Sequence, residues 1–159
     1  LEENRNFSYA NTALGITHKL IPNGNLVLAS KVDGYFIFGN KFEFYQSANI
    51  GANNGLRGFR NERFAGKNSF YHTTDIRYNM SSLKTAILPI NLGIFGGFDY
   101  GSVWGIPDIL GAPPIVSTKL NTSYGGGFFI NTANILTGNL GVFNSTDGVR
   151  INFTLGFNF

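Results

Sequence analysis

The last eleven residues alternate without a break. Val149, Ile151, Phe153, Leu155, Phe157 and Phe159 fall on one side. Arg150, Asn152, Thr154, Gly156 and Asn158 fall on the other. A helix would scatter such a set around its circumference, whereas an extended strand sorts it into an apolar face and a polar face. Other segments repeat the pattern. Phe42, Phe44, Ala48 and Ile50 alternate with Glu43, Tyr45, Ser47 and Asn49; Phe70, His72, Thr74, Ile76, Tyr78 and Met80 alternate with Ser69, Tyr71, Thr73, Asp75, Arg77 and Asn79. Ile90, Leu92, Ile94, Phe98 and Tyr100 oppose Asn91, Gly93, Phe95, Gly97 and Asp99; Leu26, Leu28, Val32, Phe36 and Phe38 oppose Ala29, Lys31, Asp33 and Tyr35. The first segment is less regular, with a slip of phase near Ala13. Eight strands are expected, near 7–20, 25–38, 42–50, 69–80, 87–100, 122–132, 135–143 and 148–159. No capped run of helical period interrupts them.

Composition decides what kind of all-β chain this is. Only 13% of the 159 residues are charged, against about 25% in soluble domains. Phe is abundant at 16 and Gly at 21. The apolar content of 43% argues against disorder. Zero Cys excludes disulfide frameworks, thiolate metal sites and Cys nucleophiles. A net charge of +3 gives no footprint for nucleic acid. The longest uncharged window, Leu120 to Thr146, is too rich in Gly, Asn, Ser and Thr for a spanning helix. A transmembrane antiparallel β-barrel fits instead, because its strands alternate between lipid and lumen and are only weakly hydrophobic overall. The chain opens on no signal peptide, as expected of a mature form or a fragment.

Connection lengths alternate as well. Short links are expected at Gly39-Asn40-Lys41, Ser81-Ser82-Leu83-Lys84 and Ala133-Asn134, and long ones over 51–68 and 101–121. The turns Ile21-Pro22-Asn23-Gly24 and Thr146-Asp147-Gly148 are expected to be the short outer ones, with Asn-Gly and Asp-Gly as hairpin chemistry. Short turns face the periplasm in outer-membrane barrels, so eight strands place both termini there, in a bacterial outer membrane.

The segment 51–68 holds three arginines, four glycines and two phenylalanines. Two readings are open from the residues alone. It is a solvated surface loop, or it folds inward, with glycines allowing close packing and Arg57 anchoring to the inward carboxylates Asp75 and Asp99. Two like charges on adjacent strands need a cation to stay ionised, and a guanidinium fork suits them.

Gly55-Leu56-Arg57-Gly58-Phe59 resembles the aliphatic–Arg–Gly–aromatic signature in the sixth external loop of the Omp85 superfamily. Phe98-Asp99-Tyr100-Gly101-Ser102-Val103-Trp104 resembles that family's F-x-D-x-G-x-V-W strand, except that Phe and Asp are adjacent here. Thr74-Asp75-Ile76-Arg77 is similar to its acidic-x-Arg element, and 153–159 to its final strand with an aromatic end. The four occur in the family's order; the resemblance covers roughly 50–159 closely and 7–50 only as generic strands. It implies that Arg57, with Gly58 and Phe59, enters the lumen and pairs with Asp75 and Asp99. It also implies a role in outer-membrane protein assembly, insertion or polypeptide translocation, acting on unfolded outer-membrane or secreted polypeptides. A passive pore or membrane anchor is the alternative.

The family barrel has sixteen strands, and this chain is expected to supply eight. An eight-stranded barrel is only wide enough for side chains, so an eighteen-residue inward loop does not fit. Two copies are therefore expected to close one sixteen-stranded barrel as a homodimer, the first strand of each pairing with the last of the other, through the strand bearing Ile151, Phe153, Leu155, Phe157 and Phe159. If the chain is a fragment, its own precursor supplies the missing half. No enzyme activity, cofactor or metal is expected. Asp75 and Asp99 read as a structural ion-pair set. Gly125-Gly126-Gly127 lies inside a strand and lacks the Lys-Ser/Thr of a phosphate loop. His18 and His72 read as isolated strand residues.

Overall fold

The computed structural model describes residues 8–39, 44–84, 89–105, 119–132 and 136–157. Nine strands occur there: β1 (Ser8–Lys19), β2 (Leu26–Phe38), β3 (Ala48–Ile50), β4 (Phe64–Gly66), β5 (Asn68–Lys84), β6 (Pro89–Trp104), β7 (Asn121–Thr132), β8 (Leu136–Ser145) and β9 (Gly148–Phe157). Seven of them make one antiparallel sheet in the order β1-β2-β5-β6-β7-β8-β9, and β3 pairs with β4 in a separate hairpin. The chain is all-β with consecutive strands side by side, as the alternation implies. Among the described residues no helix is long and apolar enough to cross a membrane, which says nothing of strands.

The third expected strand, 42–50, is the main correction. Residues 40–43 lie outside the described residues, 44–46 form a 3-10 turn, and only Ala48–Ile50 is extended. It does not join the large sheet. β2 pairs directly with β5, from Leu26 opposite Tyr78 to Phe36 opposite Asn68. The alternation near Ile50 was genuine but had another cause: Ala48 and Ile50 are buried on the inner side of the sheet.

Other differences are smaller. The irregular first segment is one unbroken ladder with β2, with no shift at Ala13. Ser81–Lys84 belongs to β5 rather than to a turn, and a bulge between Asn79 and Ser81 sets Leu83 opposite Ile90. The turn over 133–134, most of the expected connection 101–121, and Phe159 lie outside the described residues. Gly24 closes the first hairpin with a φ of 74°, its N–H donating to the Ile21 carbonyl at 2.9 Å.

Strand parity changes with the count. In a seven-stranded meander Ser8 and Phe157 lie at opposite ends of the sheet, whereas eight strands would return them to one end. The 20–25 turn now lies beside the β5–β6 end, since the Asn79 N–H donates to the Asn25 carbonyl at 2.7 Å. The end of β2, the start of β5 and the 146–147 turn lie at the other end.

The two faces of the sheet differ sharply. One carries Leu14, Ile16, Val32, Phe36, Ile76, Tyr78, Leu92, Ile94, Phe98, Phe128, Leu140, Val142, Val149, Ile151, Phe153 and Leu155, all exposed. The register places Lys19, Lys31, Asp33, Asp75, Arg77, Asp99 and Arg150 on the opposite face. No formally charged side chain among the described ones of these strands stands on the apolar side. The segment 44–67 packs on the polar side, where Ile50, Leu56, Phe59, Phe64 and Val103 form a core with Tyr71 against it. Full burial of Ile50, Leu56 and Phe59 contributes roughly 1.5–3 kcal/mol each.

Candidate functional site on the polar face

The site is built from four neighbouring strands, β5 to β8, and the segment that folds over them. Asp75 on β5 stands opposite Gly97 on β6, and Asp99 on β6 stands opposite Thr73 on β5. The two carboxylates are thus diagonal neighbours on one face. Gly97 keeps the space between them open: a Cβ there would lie 2.5 Å from the Arg57 guanidinium and 2.6 Å from an Asp75 oxygen.

Arg57 fills that space. Its Nη2 donates to Asp99 Oδ1 at 2.6 Å and to Asp75 Oδ1 at 2.7 Å, and its Nε approaches both Asp99 oxygens at 3.1 Å. Its backbone N–H donates to Asp99 Oδ2 at 3.1 Å. Asp99 is 0% exposed and also accepts from the Ser123 hydroxyl at 2.9 Å. Asp75 accepts in addition from Arg77 at 2.9 Å. The guanidinium carbon lies 4.3 Å from the centre of the Phe143 ring, a cation–π contact. Two carboxylates and two guanidinium groups therefore balance in a poorly hydrated place. Burial alone disfavours the Arg57 charge. The hydrogen bonds and charge of Asp99, and then of Asp75, outweigh it and hold the group above its ordinary value.

Gly58 brings the backbone against the wall. Its N–H donates to Ser123 Oγ at 3.2 Å, and its carbonyl accepts from Ser145 Oγ at 2.6 Å. A Cβ at Gly58 would come within 2.7 Å of Ser123 Cβ. Phe59 is fully buried, its ring edge-on to Phe64 at 5.1 Å. Gly55 takes a φ of 89°, and a Cβ there would overlap the Tyr71 ring. Farther along, Arg63 Nε donates to Asp147 Oδ2 at 2.6 Å, tying the segment to the β8–β9 turn.

Arg57, Gly58, Phe59, Asp75 and Asp99 meet at one place on the polar face of the sheet. The alternation of strands did not reveal Gly97, Ser123, Phe143, Ser145 or the Arg63–Asp147 pair. For Gly97, Ser123 and Ser145 the signal is a row of small residues across the sheet, Gly97 opposite Gly125 and Ser123 opposite Ser145, legible only once the register is known. Ile151, Phe153 and Leu155 stand elsewhere, on the exposed face of β9, and the Phe157 backbone ends that strand.

His72 is not isolated. On the apolar face its Nε2 lies 2.6 Å from Ser30 Oγ and 3.2 Å from Thr74 Oγ1, with the Tyr100 ring edge-on at 4.9 Å. Its Nδ1 is buried without a hydrogen-bond partner. A Ser–His pair needs a third group to orient the base and donors for an oxyanion before it becomes a nucleophilic site. Among the described residues no group of three His, Cys, Asp or Glu is placed to hold a metal ion.

The chain matches no protein-family model, no curated protein and no solved structure. Its chemistry is therefore read from the site alone. An arginine is locked between two carboxylates, and through it the segment is held against the sheet.

Proposed function

We propose that this chain builds part of the wall of a bacterial outer-membrane β-barrel of the Omp85 type. In this reading segment 44–67 is a lumen plug, and the barrel serves outer-membrane protein assembly, insertion or polypeptide translocation. The observation that carries the reading is the segregation of the sheet: a wide apolar face free of formal charge among the described residues, and a polar face that binds the Arg57 segment. Exposed apolar area of this extent is foreign to a soluble monomer and natural against lipid. The partners are then outer-membrane lipid on one face and unfolded polypeptide in the lumen. The end bearing the plug faces outward, and the 20–25 turn faces the periplasm.

The closing strands follow from parity. β1 and β9 each have one described neighbour, and a membrane barrel leaves no free edge. With seven strands, β1 and β9 run in the same direction. Rotation of a second copy about the barrel axis keeps that direction, so a homodimer would have parallel seams and fourteen strands. An all-antiparallel wall instead needs an odd complement, nine strands for a sixteen-stranded barrel. We favour that complement over the second copy.

A passive pore or membrane anchor is the second reading, favoured by the charged lining that Lys31, Asp33, Arg77 and Arg150 give the polar face. Planar-bilayer recording separates the two. A closed, plugged wild-type barrel that opens on Arg57→Ala supports the plug reading. A large steady wild-type conductance that Arg57→Ala leaves unchanged supports the passive pore and sinks the plug.

A further inference from the structure

We propose that the free edge of β9 is a seat for a carboxylate, carried on the inward face of the antiparallel strand that pairs with it. The proposal rests on the barrel reading above. A cavity of about 480 Å³ opens between the plug segment and β9, lined by Arg57, Arg60, Asn61, Arg150 and Asn152 among others, with no Asp or Glu. The segment therefore overhangs the last described strand, so a strand pairing with β9 would meet the segment as well.

Among the described residues the charges in this corner do not balance, and the exposed Glu62 of the segment does not line the cavity. Arg57 is spent on Asp75 and Asp99, and Asp75 also serves Arg77. Asp33 is engaged by Lys31 and Asp147 by Arg63. Arg150, on the polar face opposite Phe143, has a buried Nε with no hydrogen-bond partner. Buried guanidinium N–H groups are costly unless paired, and the fork fits a carboxylate in two-point fashion. Arg60, exposed on the same cavity, adds a second positive charge.

A second copy does not fit the seat. β1 reads Ser-Tyr-Ala-Asn-Thr-Ala-Leu-Gly-Ile-Thr-His-Lys, without an acid, and its polar face ends on Lys19. That strand would bring no acid to these cations, and it would run in the parallel sense, with Lys19 beside the 20–25 turn and Arg150 beside the 146–147 turn at the opposite end of the sheet. A strand of the odd complement, with an inward Asp or Glu near Arg150, satisfies charge and direction together.

The test places the photo-crosslinker p-benzoylphenylalanine at Asn152, beside Arg150 on the same face, in protein embedded in outer membrane. The adduct is identified by mass spectrometry. The expected adduct is a strand of alternating apolar and polar residues with an acid in the inward phase. Arg150→Glu should lower its yield by at least about tenfold, since opposed like charges cost several kcal/mol, while Arg150→Lys should retain most of it. An adduct with residues 8–19 of a second copy, an adduct with lipid alone, no adduct, or a yield indifferent to Arg150→Glu overturns the seat. Heat-shifted migration on unboiled gels is read on the same samples. A chain without a heat-shifted form loses the barrel reading and the seat together. A heat-shifted form whose adduct lacks an acid loses the seat alone.

Discussion

Asp99 has no exposed surface, and what keeps it tolerable as an anion is one guanidinium, one backbone N–H and one serine hydroxyl. Arg57→Ala leaves that charge buried without its main partner, at an expected cost of about 3–5 kcal/mol. Arg57→Lys keeps the charge but loses the fork that spans Asp75 and Asp99, so most of the cost remains. Limited trypsin digestion of the folded protein checks both, because Arg60 and Arg63 become cleavable when the segment lifts. Gly58→Ala should have the same result with charge unchanged, since its Cβ would collide with Ser123. The pH dependence has a definite sign. Arg57 has a raised value in the fold, so its contribution is complete below the ordinary guanidinium value and is lost only above it. Conductance at pH 7 and at about 11 should therefore report the same bound plug, as far as Arg57 is concerned. Asp75 and Asp99 were legible in the sequence because charges on one phase of a strand are conspicuous, and Arg57 because it stands in a segment of arginines and glycines that resembles a known loop signature. Gly97 and Ser123 were not: their part is to be small at a particular register position, and register is set by the neighbouring strands.

Strands were the most legible elements, since burial with period 2 writes itself into the residue order. The exception, 42–50, shows the limit of that signal. Alternation reports that every second side chain is covered, and Ala48 and Ile50 are covered by the inner side of a sheet to which they do not belong. The missing strand then shifted the parity, and with it the placement of both termini and the two-copy closure. The faces themselves make a quantitative prediction. Val142 stands 50% exposed on the apolar side of β8. Val142→Arg should cost up to about 4 kcal/mol in lipid vesicles, the penalty for a charge facing lipid, whereas Thr154→Arg on the polar side of β9 should cost less than about 1 kcal/mol. Urea unfolding of vesicle-embedded protein, followed by tryptophan fluorescence, measures the difference. Equal costs would argue against two chemically distinct sides.

At the scale of the molecule, the sheet, the segment 44–67 proposed as its plug, and the β9 edge belong to one arrangement. The segment ties β5 and β6 through Arg57, β7 and β8 through Gly58, and the β8–β9 turn through Arg63. Release of the plug should therefore loosen the β9 edge as well. Arg63→Ala is expected to lower the temperature of the heat-shifted form, and a mobility profile unchanged by that substitution would separate the plug from the edge. The central claim is that one face of this sheet meets lipid while the other encloses the plug. Spin labels placed singly from Val149 to Leu155 in vesicle-embedded protein test it most directly, read by their accessibility to oxygen, which concentrates in lipid, and to a water-soluble nickel chelate. The account predicts oxygen access at Val149, Ile151, Phe153 and Leu155 and low oxygen access at Arg150, Asn152 and Thr154. Uniform access to the nickel chelate along the whole strand, without alternation, would contradict it.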